Sequence, residues 1–112
     1  IACFPGDATP TEIIAAQRAH ADLVTIFPAD LVGGAYFVRQ MQGPFADARF
    51  MVSGGVNLKN VKDYVEVGVT GICLGSAYLG GLLETKGKKP FVQEMQKFVK
   101  AVAQAGKKSK RK

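Results

Sequence analysis

The chain has 112 residues, of which 47% are hydrophobic and 21% charged, so it forms one folded domain at most and is not a disordered segment. No apolar run reaches the roughly 18 residues that a membrane span needs, so these residues contain no predicted membrane-spanning helix. The net charge of +6 is uneven, since residues 1–85 carry five Lys/Arg against eight Asp/Glu (net −3), whereas residues 86–112 carry ten Lys/Arg against one Glu (net +9).

Four predicted strand–helix units follow one another along the chain. Each unit starts with a short apolar strand, and successive strands begin 22, 27 and 22 residues apart, which is the size of a βα unit. The strands are continuously apolar, as expected when helices cover a parallel sheet. The predicted strands are residues 1–4, 23–27, 50–53 and 72–74.

Local signals place a helix after each strand. Thr9 and Glu12 form a capping box that starts the first helix. A glycine pair opens the second helix, and Asn57 is the predicted N-cap of the third. A short fourth helix is expected to end near Leu83.

The last residues of the chain form a separate, basic segment. After a polar hinge, Pro90 starts a longer amphipathic helix that Gly106 is expected to end. Residues 107–112 then predict a disordered basic tail. The apolar face of the helix carries Phe91, Met95, Phe98 and Val102.

Small residues cluster where the predicted strands end. Ligands of parallel α/β folds bind at the carboxyl ends of the strands. Glycine there lets backbone N–H groups approach an anion, and the next helix N-terminus adds a favourable dipole. Glycines also form tight turns that bind no ligand, but two consecutive strands ending in serine and glycine favour a phosphate site. The predicted phosphate-binding residues are Ser53, Gly54, Gly55, Gly75 and Ser76.

The order of these segments resembles the 2-keto-3-deoxy-6-phosphogluconate (KDPG/KHG) aldolase family over about residues 1–80. The segments are Cys3-Phe4-Pro5-Gly6 with Thr9-Pro10-Thr11-Glu12, Leu23 to Ala29 with Gly33-Gly34, Gly43-Pro44-Phe45 with Phe50 to Val56, and Cys73-Leu74-Gly75-Ser76. The resemblance implies an α/β fold in which residues 1–85 form strands five to eight, the C-terminal half of a (β/α)8 TIM barrel. We expect the first four strands to be missing from this sequence, and residues 86–112 to add a basic helix and tail.

The resemblance also implies a class I aldolase site from which this sequence departs. Family enzymes use a strand-end lysine, whose amine forms a Schiff base with the keto group of the substrate. The matching position is Thr25, whose hydroxyl cannot form an imine, and Lys59 and Lys62 fall on an outer helix. We therefore expect no catalytic residue in this chain, and whether the protein is an enzyme stays open.

Three functions fit these features. The leading hypothesis is a catalytically impaired, aldolase-like barrel that binds a phosphorylated small molecule or serves as a structural subunit of a homo-oligomer or larger assembly. The second is an active carbon–carbon lyase that uses groups in the missing N-terminal half. The third is a nucleic-acid-associated factor whose residues 107–112 bind an anionic partner, although no aromatic residue interleaves with those lysines.

The sequence predicts neither a metal nor a cofactor. His20 is the only histidine, and Cys3 and Cys73 stand 70 positions apart, which is not the spacing of metal ligands. Two such cysteines favour reduced thiols in an intracellular, soluble protein over a disulfide between them, and they do not distinguish the cytoplasm from an organelle stroma.

Overall fold

The computed structural model describes residues 1–110 and contains one parallel sheet whose strands pair in sequence order. All three strand pairs are parallel, which confirms the predicted succession of strand–helix units. The strands are β1 (Gly6–Asp7), β2 (Val24–Ile26), β3 (Phe50–Val52) and β4 (Gly71–Ile72). The helices are α1 (Pro10–Arg18), α2 (Gly34–Gln42), α3 (Val61–Val67), α4 (Ser76–Lys86) and α5 (Lys88–Lys110).

The two faces of the sheet differ because successive side chains of a strand point in opposite directions. Ile26 and Val52 are fully buried, in one core cluster with side chains from α1, α2 and α3. Burial of an aliphatic side chain of this size contributes about 1.5–3 kcal/mol. Thr25 and Met51, which are partners in the strand register, point to the opposite face. The helical members of the cluster include Ile13, Ala16, Val38, Val61 and Tyr64.

The first strand begins later than predicted. The strand expected at residues 1–4 is wrong, because those residues are exposed and β1 is Gly6–Asp7. The Cys3 and Pro5 carbonyl oxygens still accept hydrogen bonds, from the Asp22 N–H at 3.0 Å and the Thr25 N–H at 2.8 Å. The apolar N-terminal residues therefore run beside β2, and no helix or strand among the described residues covers them. Hydropathy alone does not distinguish such an exposed apolar segment from a buried strand.

The start of α1 follows the predicted capping motif. The Thr9 Oγ1 accepts a hydrogen bond from the Glu12 N–H at 3.3 Å, and the Thr9 hydroxyl donates to the Glu12 Oε1 at 2.7 Å. Pro10 occupies the first helical position, where a backbone N–H group would have no acceptor within the helix. These three residues thus fix where the helix begins.

Two helix ends differ from the prediction. Asn57 does not cap α3, which begins at Val61; its Oδ1 instead accepts from a backbone N–H two residues later, at 2.8 Å, and closes a turn. The helix α4 extends to Lys86 and not to about Leu83. The predicted domain boundary after residue 85 therefore falls in the last turn of α4 and stays a prediction.

The C-terminal helix α5 packs across α3 and α4. Phe98 is 3% exposed and meets the Tyr78 ring edge to face, with centroids 5.4 Å apart. Phe91 and Met95 are half-buried, whereas Val102 is 37% exposed, so the predicted apolar face is only partly covered. Within residues 1–110, no helix combines the length and hydropathy that crossing a membrane requires.

The end of α5 lies beyond the predicted stop. The helix continues through Gly106 to Lys110, so the expected end at Gly106 is wrong, as is the expected disorder for residues 107–110. A helical glycine costs about 1 kcal/mol relative to alanine. Its neighbour Ala105 is 3% exposed, and α5 packs against α3. Residues 111–112 of the predicted tail lie outside the described residues.

One carboxylate is buried under the sheet edge. Asp7 is 6% exposed, and its Oδ2 has no hydrogen-bond partner in the described part of the chain. Burial raises the pKa of Asp7, and the nearby Glu12 carboxylate raises it further. The Asp7 carboxyl group is therefore harder to ionise in the folded state than in the unfolded chain.

We expect Asp7→Val to stabilise the fold at neutral pH by about 1–3 kcal/mol, because it removes a buried carboxylate that lacks a partner. Since the folded-state pKa of Asp7 lies above its unfolded value, the stability that its protonation supplies is present below the unfolded pKa and is lost as pH rises through the folded pKa. The advantage of the variant should therefore grow with pH. Urea unfolding from pH 3.5 to 7.5 measures it, with the exposed Asp47→Val as control. An advantage independent of pH would contradict the role of this charge.

Candidate anion-binding site

The serines and glycines that follow β3 and β4 lie in one cleft of about 450 Å³. Phe27, which follows β2, and Tyr78, in the first turn of α4, form its aromatic walls. The structure thus brings together all five residues predicted to bind phosphate, from segments more than 20 positions apart. These residues are Ser53, Gly54, Gly55, Gly75 and Ser76.

The turn after β3 requires both of its glycines. Gly54 and Gly55 have φ angles of +94° and +71°, which side chains other than glycine rarely adopt. A Cβ atom at Gly54 would lie 3.0 Å from the Pro28 Cα, and one at Gly55 would overlap the Asp30 carboxyl group. Within the described residues, the backbone N–H groups of Gly55 and Val56 donate to no protein acceptor. Successive free N–H groups of this kind form concavities that bind anions.

The N-terminus of α4 supplies further free donors. Gly75 occupies the N-cap position, and no side chain caps the helix there. The N–H groups of Ser76 and Ala77 have no acceptor in the part of the chain that the structure describes. They carry the positive end of the dipole of an 11-residue helix. Two sets of unpaired N–H groups therefore border the same cleft.

Among the described residues, no charged side chain lines this cleft, so backbone dipoles would provide its attraction for anions. The Tyr78 hydroxyl donates to the Glu94 Oε1 of α5 at 2.6 Å. This hydrogen bond raises the pKa of Tyr78 to about 12 and lowers the pKa of Glu94. The Tyr78 side chain is therefore neutral, and its hydroxyl proton is held in the hydrogen bond to Glu94. It does not act as a general acid in the cleft.

The structure places Thr25 in the middle of β2, with 8% of its surface exposed. Its hydroxyl donates to the Phe4 carbonyl oxygen at 3.2 Å. The lysines of residues 1–110 all lie outside the four strands, and Lys59 and Lys62 are exposed near the start of α3. Among the described residues, no three His, Cys, Asp or Glu side chains come together in a way that could hold a metal ion.

The sequence did not identify the two aromatic walls. Tyr78 lies two residues after Ser76. An aromatic residue in the first helical turn after a glycine-serine pair could have indicated a wall of the site. Phe27 gave a weaker signal, because the end of an apolar strand resembles the core. It is 55% exposed in the structure, which shows that it does not belong to the core.

Comparisons with known proteins bear on this site. A family model described as "Aldolase: KDPG and KHG aldolase" matches residues 1–97. The 2-dehydro-3-deoxy-phosphogluconate aldolase of Pseudomonas aeruginosa is 37% identical over 76 residues, which cover 68% of this chain and 34% of that protein. This chain thus spans about a third of the length of the curated relatives that it matches.

Solved structures give a similar result at the level of the fold. One described as "Native KDPGal structure" matches with a TM-score of 0.78 and 29% identity, over 94% of this chain and 50% of that chain. A cube-shaped, highly porous protein cage, designed by fusing symmetric oligomeric domains, matches with a TM-score of 0.80 and 29% identity. That match covers 96% of this chain and 39% of the cage chain.

Proposed function

Because this chain belongs to the KDPG and KHG aldolase family, we propose that it binds the phosphate group of a small 2-keto acid phosphate without forming a covalent imine. The observation that carries the proposal is the convergence of two sets of free N–H groups on one cleft, from the turn after β3 and from the start of α4. The ligand class follows from the relatives, whose names specify phosphorylated 2-dehydro-3-deoxy sugar acids. The phosphate would accept hydrogen bonds from N–H groups at Gly55, Val56, Ser76 and Ala77.

The absence of imine chemistry rests on Thr25. An imine needs an amine, and a threonine hydroxyl supplies only a hydrogen bond. The Thr25 hydroxyl already donates to the Phe4 carbonyl oxygen. Lys59 and Lys62 are exposed and lie outside the four strands. The chain would therefore hold a keto acid phosphate without a covalent bond.

We further propose that the chain works as a binding or structural subunit. Within residues 1–110, β1 and β4 each pair on one side only, and an unpaired strand edge favours association with further β-structure. A structural neighbour built from symmetric oligomeric domains fits a role in an assembly. The apolar Phe4 and Phe27 side chains are 47% and 55% exposed, and such contacts would bury them.

Calorimetric titration with 2-keto-3-deoxy-6-phosphogluconate tests the first proposal. We expect saturable binding that is at least about tenfold stronger than binding of the same sugar acid without its phosphate, since each hydrogen bond to a charged group contributes about 1.5–3 kcal/mol. The same samples should show no release of pyruvate. Equal affinity for both compounds would contradict the phosphate site, and steady turnover would contradict the impaired chemistry.

A further inference from the structure

A second cleft lies behind the Gly54-Gly55 turn, between α2 and α3. Its volume is about 580 Å³. The Asp30 carboxyl group, which a side chain at Gly55 would overlap, lines this second cleft, so the turn separates the two clefts. Three carboxylates line it, and Arg39 is the only cation among the lining residues. These carboxylates belong to Asp30, Asp63 and Glu66.

A buried tyrosine presents its hydroxyl to this cleft. Tyr64 is 1% exposed, yet its hydroxyl makes no hydrogen bond to any residue that the structure describes. The hydroxyl lies beside Gly34, where a Cβ atom would stand 3.5 Å from the phenolic oxygen. Burial raises the pKa of Tyr64, and the Asp30 and Asp63 carboxylates raise it further. The phenol therefore stays neutral and keeps both a donor and an acceptor for a ligand.

The carboxylates of the cleft differ in how much of their charge is already compensated. Glu66 pairs with Lys62 at 3.6 Å. Asp30 accepts one hydrogen bond, at 2.9 Å, from the N–H of the next residue. Neither Asp30 nor Asp63 forms a salt bridge within the described residues. The cleft thus has two carboxylates that form no salt bridge within the described residues, and a phenolic oxygen and Arg39 line the same space.

We propose that this acidic cleft binds an organic ammonium group, carried either by a free polyamine or by the lysine side chain of a partner protein. An ammonium group is a donor with three N–H bonds, and Asp30, Asp63 and Tyr64 supply three acceptor groups around one space. Tyr36 on the cleft wall, 71% exposed, adds an aromatic face that attracts a cation. The proposal does not depend on the phosphate site, because the two clefts share no lining residue.

The charge around the cleft requires a control for general attraction. The cleft lies within residues 1–85, whose net charge is −3, so a polyamine could also associate loosely with the acidic surface. A carboxylate outside the cleft therefore serves as the control for local binding.

The test is calorimetric titration of the whole chain with spermidine and, separately, with Nα-acetyl-lysine amide. We expect saturable binding, and we expect Asp63→Asn and Tyr64→Phe each to weaken it about tenfold, the effect of losing one hydrogen bond to a charged group. Tyr64→Phe keeps the buried ring, and circular dichroism with thermal melting checks that each variant folds. Glu84→Gln is the matched control, since it removes one exposed carboxylate of α4 outside the cleft and should leave the affinity within about twofold.

The two ligands separate the two sources of the ammonium group. Spermidine binding that is much tighter indicates a free polyamine, whereas similar affinities indicate that one lysine side chain suffices. Absence of saturable binding for both compounds would overturn the proposal. Equal losses for Asp63→Asn and Glu84→Gln would also overturn it, as would unchanged affinity in Tyr64→Phe.

Discussion

Sodium borohydride is expected to trap no pyruvate on the natural protein and to trap it covalently on Thr25→Lys. The physical reason is that an imine requires an uncharged amine at the strand, and position 25 carries a hydroxyl in its place. At 8% exposure this position lies in a desolvated environment, which lowers the pKa of an introduced lysine and frees the nucleophilic amine. We expect the rate of covalent trapping on Thr25→Lys to exceed the background rate on the natural protein by a factor on the order of 10³ or more.

Trapping is the appropriate measurement because it reports imine formation alone. Cleavage of a carbon–carbon bond also needs a proton donor and acceptor, which the resemblance places outside this sequence. Thr25→Met is the matched control, since it adds a side chain of comparable reach without an amine. Mass spectrometry after proteolysis locates the adduct on the peptide that contains position 25.

Two results would contradict this view of β2. Trapping on the natural protein would show that another lysine reaches the keto group, and the peptide map would identify it. Failure of a folded Thr25→Lys variant to trap pyruvate would show that position 25 does not face a keto acid site. In that case the assignment of Thr25 to the lysine position of the family would be wrong.

The sequence predicted β2 and β3 well because each is a short apolar run buried between layers, and burial is what hydropathy reports. It misplaced β1 because residues 1–4 are equally apolar but exposed. It ended α5 too early because Gly106 is a poor helix former, whereas the burial of Ala105 next to it depends on tertiary contacts. Local propensity contains no information about such contacts.

Of the two clefts, the sequence predicted one and not the other. Serine and glycine after two parallel strands predicted their convergence, since the carboxyl ends of such strands share one edge of the sheet. The sequence did not predict the acidic cleft, because Asp30 and Asp63 stand 33 positions apart and the pattern of α3 indicates a core position for Tyr64. Only the fold shows that the Tyr64 ring is buried and that this residue lines one cleft together with Asp30 and Asp63.

The phosphate cleft makes the second strong prediction, that Ser76→Asp abolishes binding of a phosphate ester. A carboxylate at this position would lie among the N–H groups that bind the anion. Two unit charges about 5 Å apart interact with about 3 kcal/mol at an effective dielectric constant of 20, and a phosphate dianion doubles that. We expect the affinity to fall by at least about 100-fold. The change is preferable to Gly55→Asp, which the Asp30 carboxyl group and a φ of +71° would confound.

Stability and binding should move in opposite directions in Ser76→Asp, which separates the site from the fold. An acidic side chain in the first turn of α4 interacts favourably with the helix dipole, so the variant should be as stable as the natural protein or more stable by about 0.3–1 kcal/mol. Ser76→Asn is the control, because it has nearly the same shape without the charge and should weaken binding only severalfold. Calorimetric titration and thermal melting on the same samples measure both quantities. A stable Ser76→Asp variant that binds the ester as tightly as the natural protein would show that the phosphate binds elsewhere. The reason is that a carboxylate among the N–H donors of the site repels a bound anion.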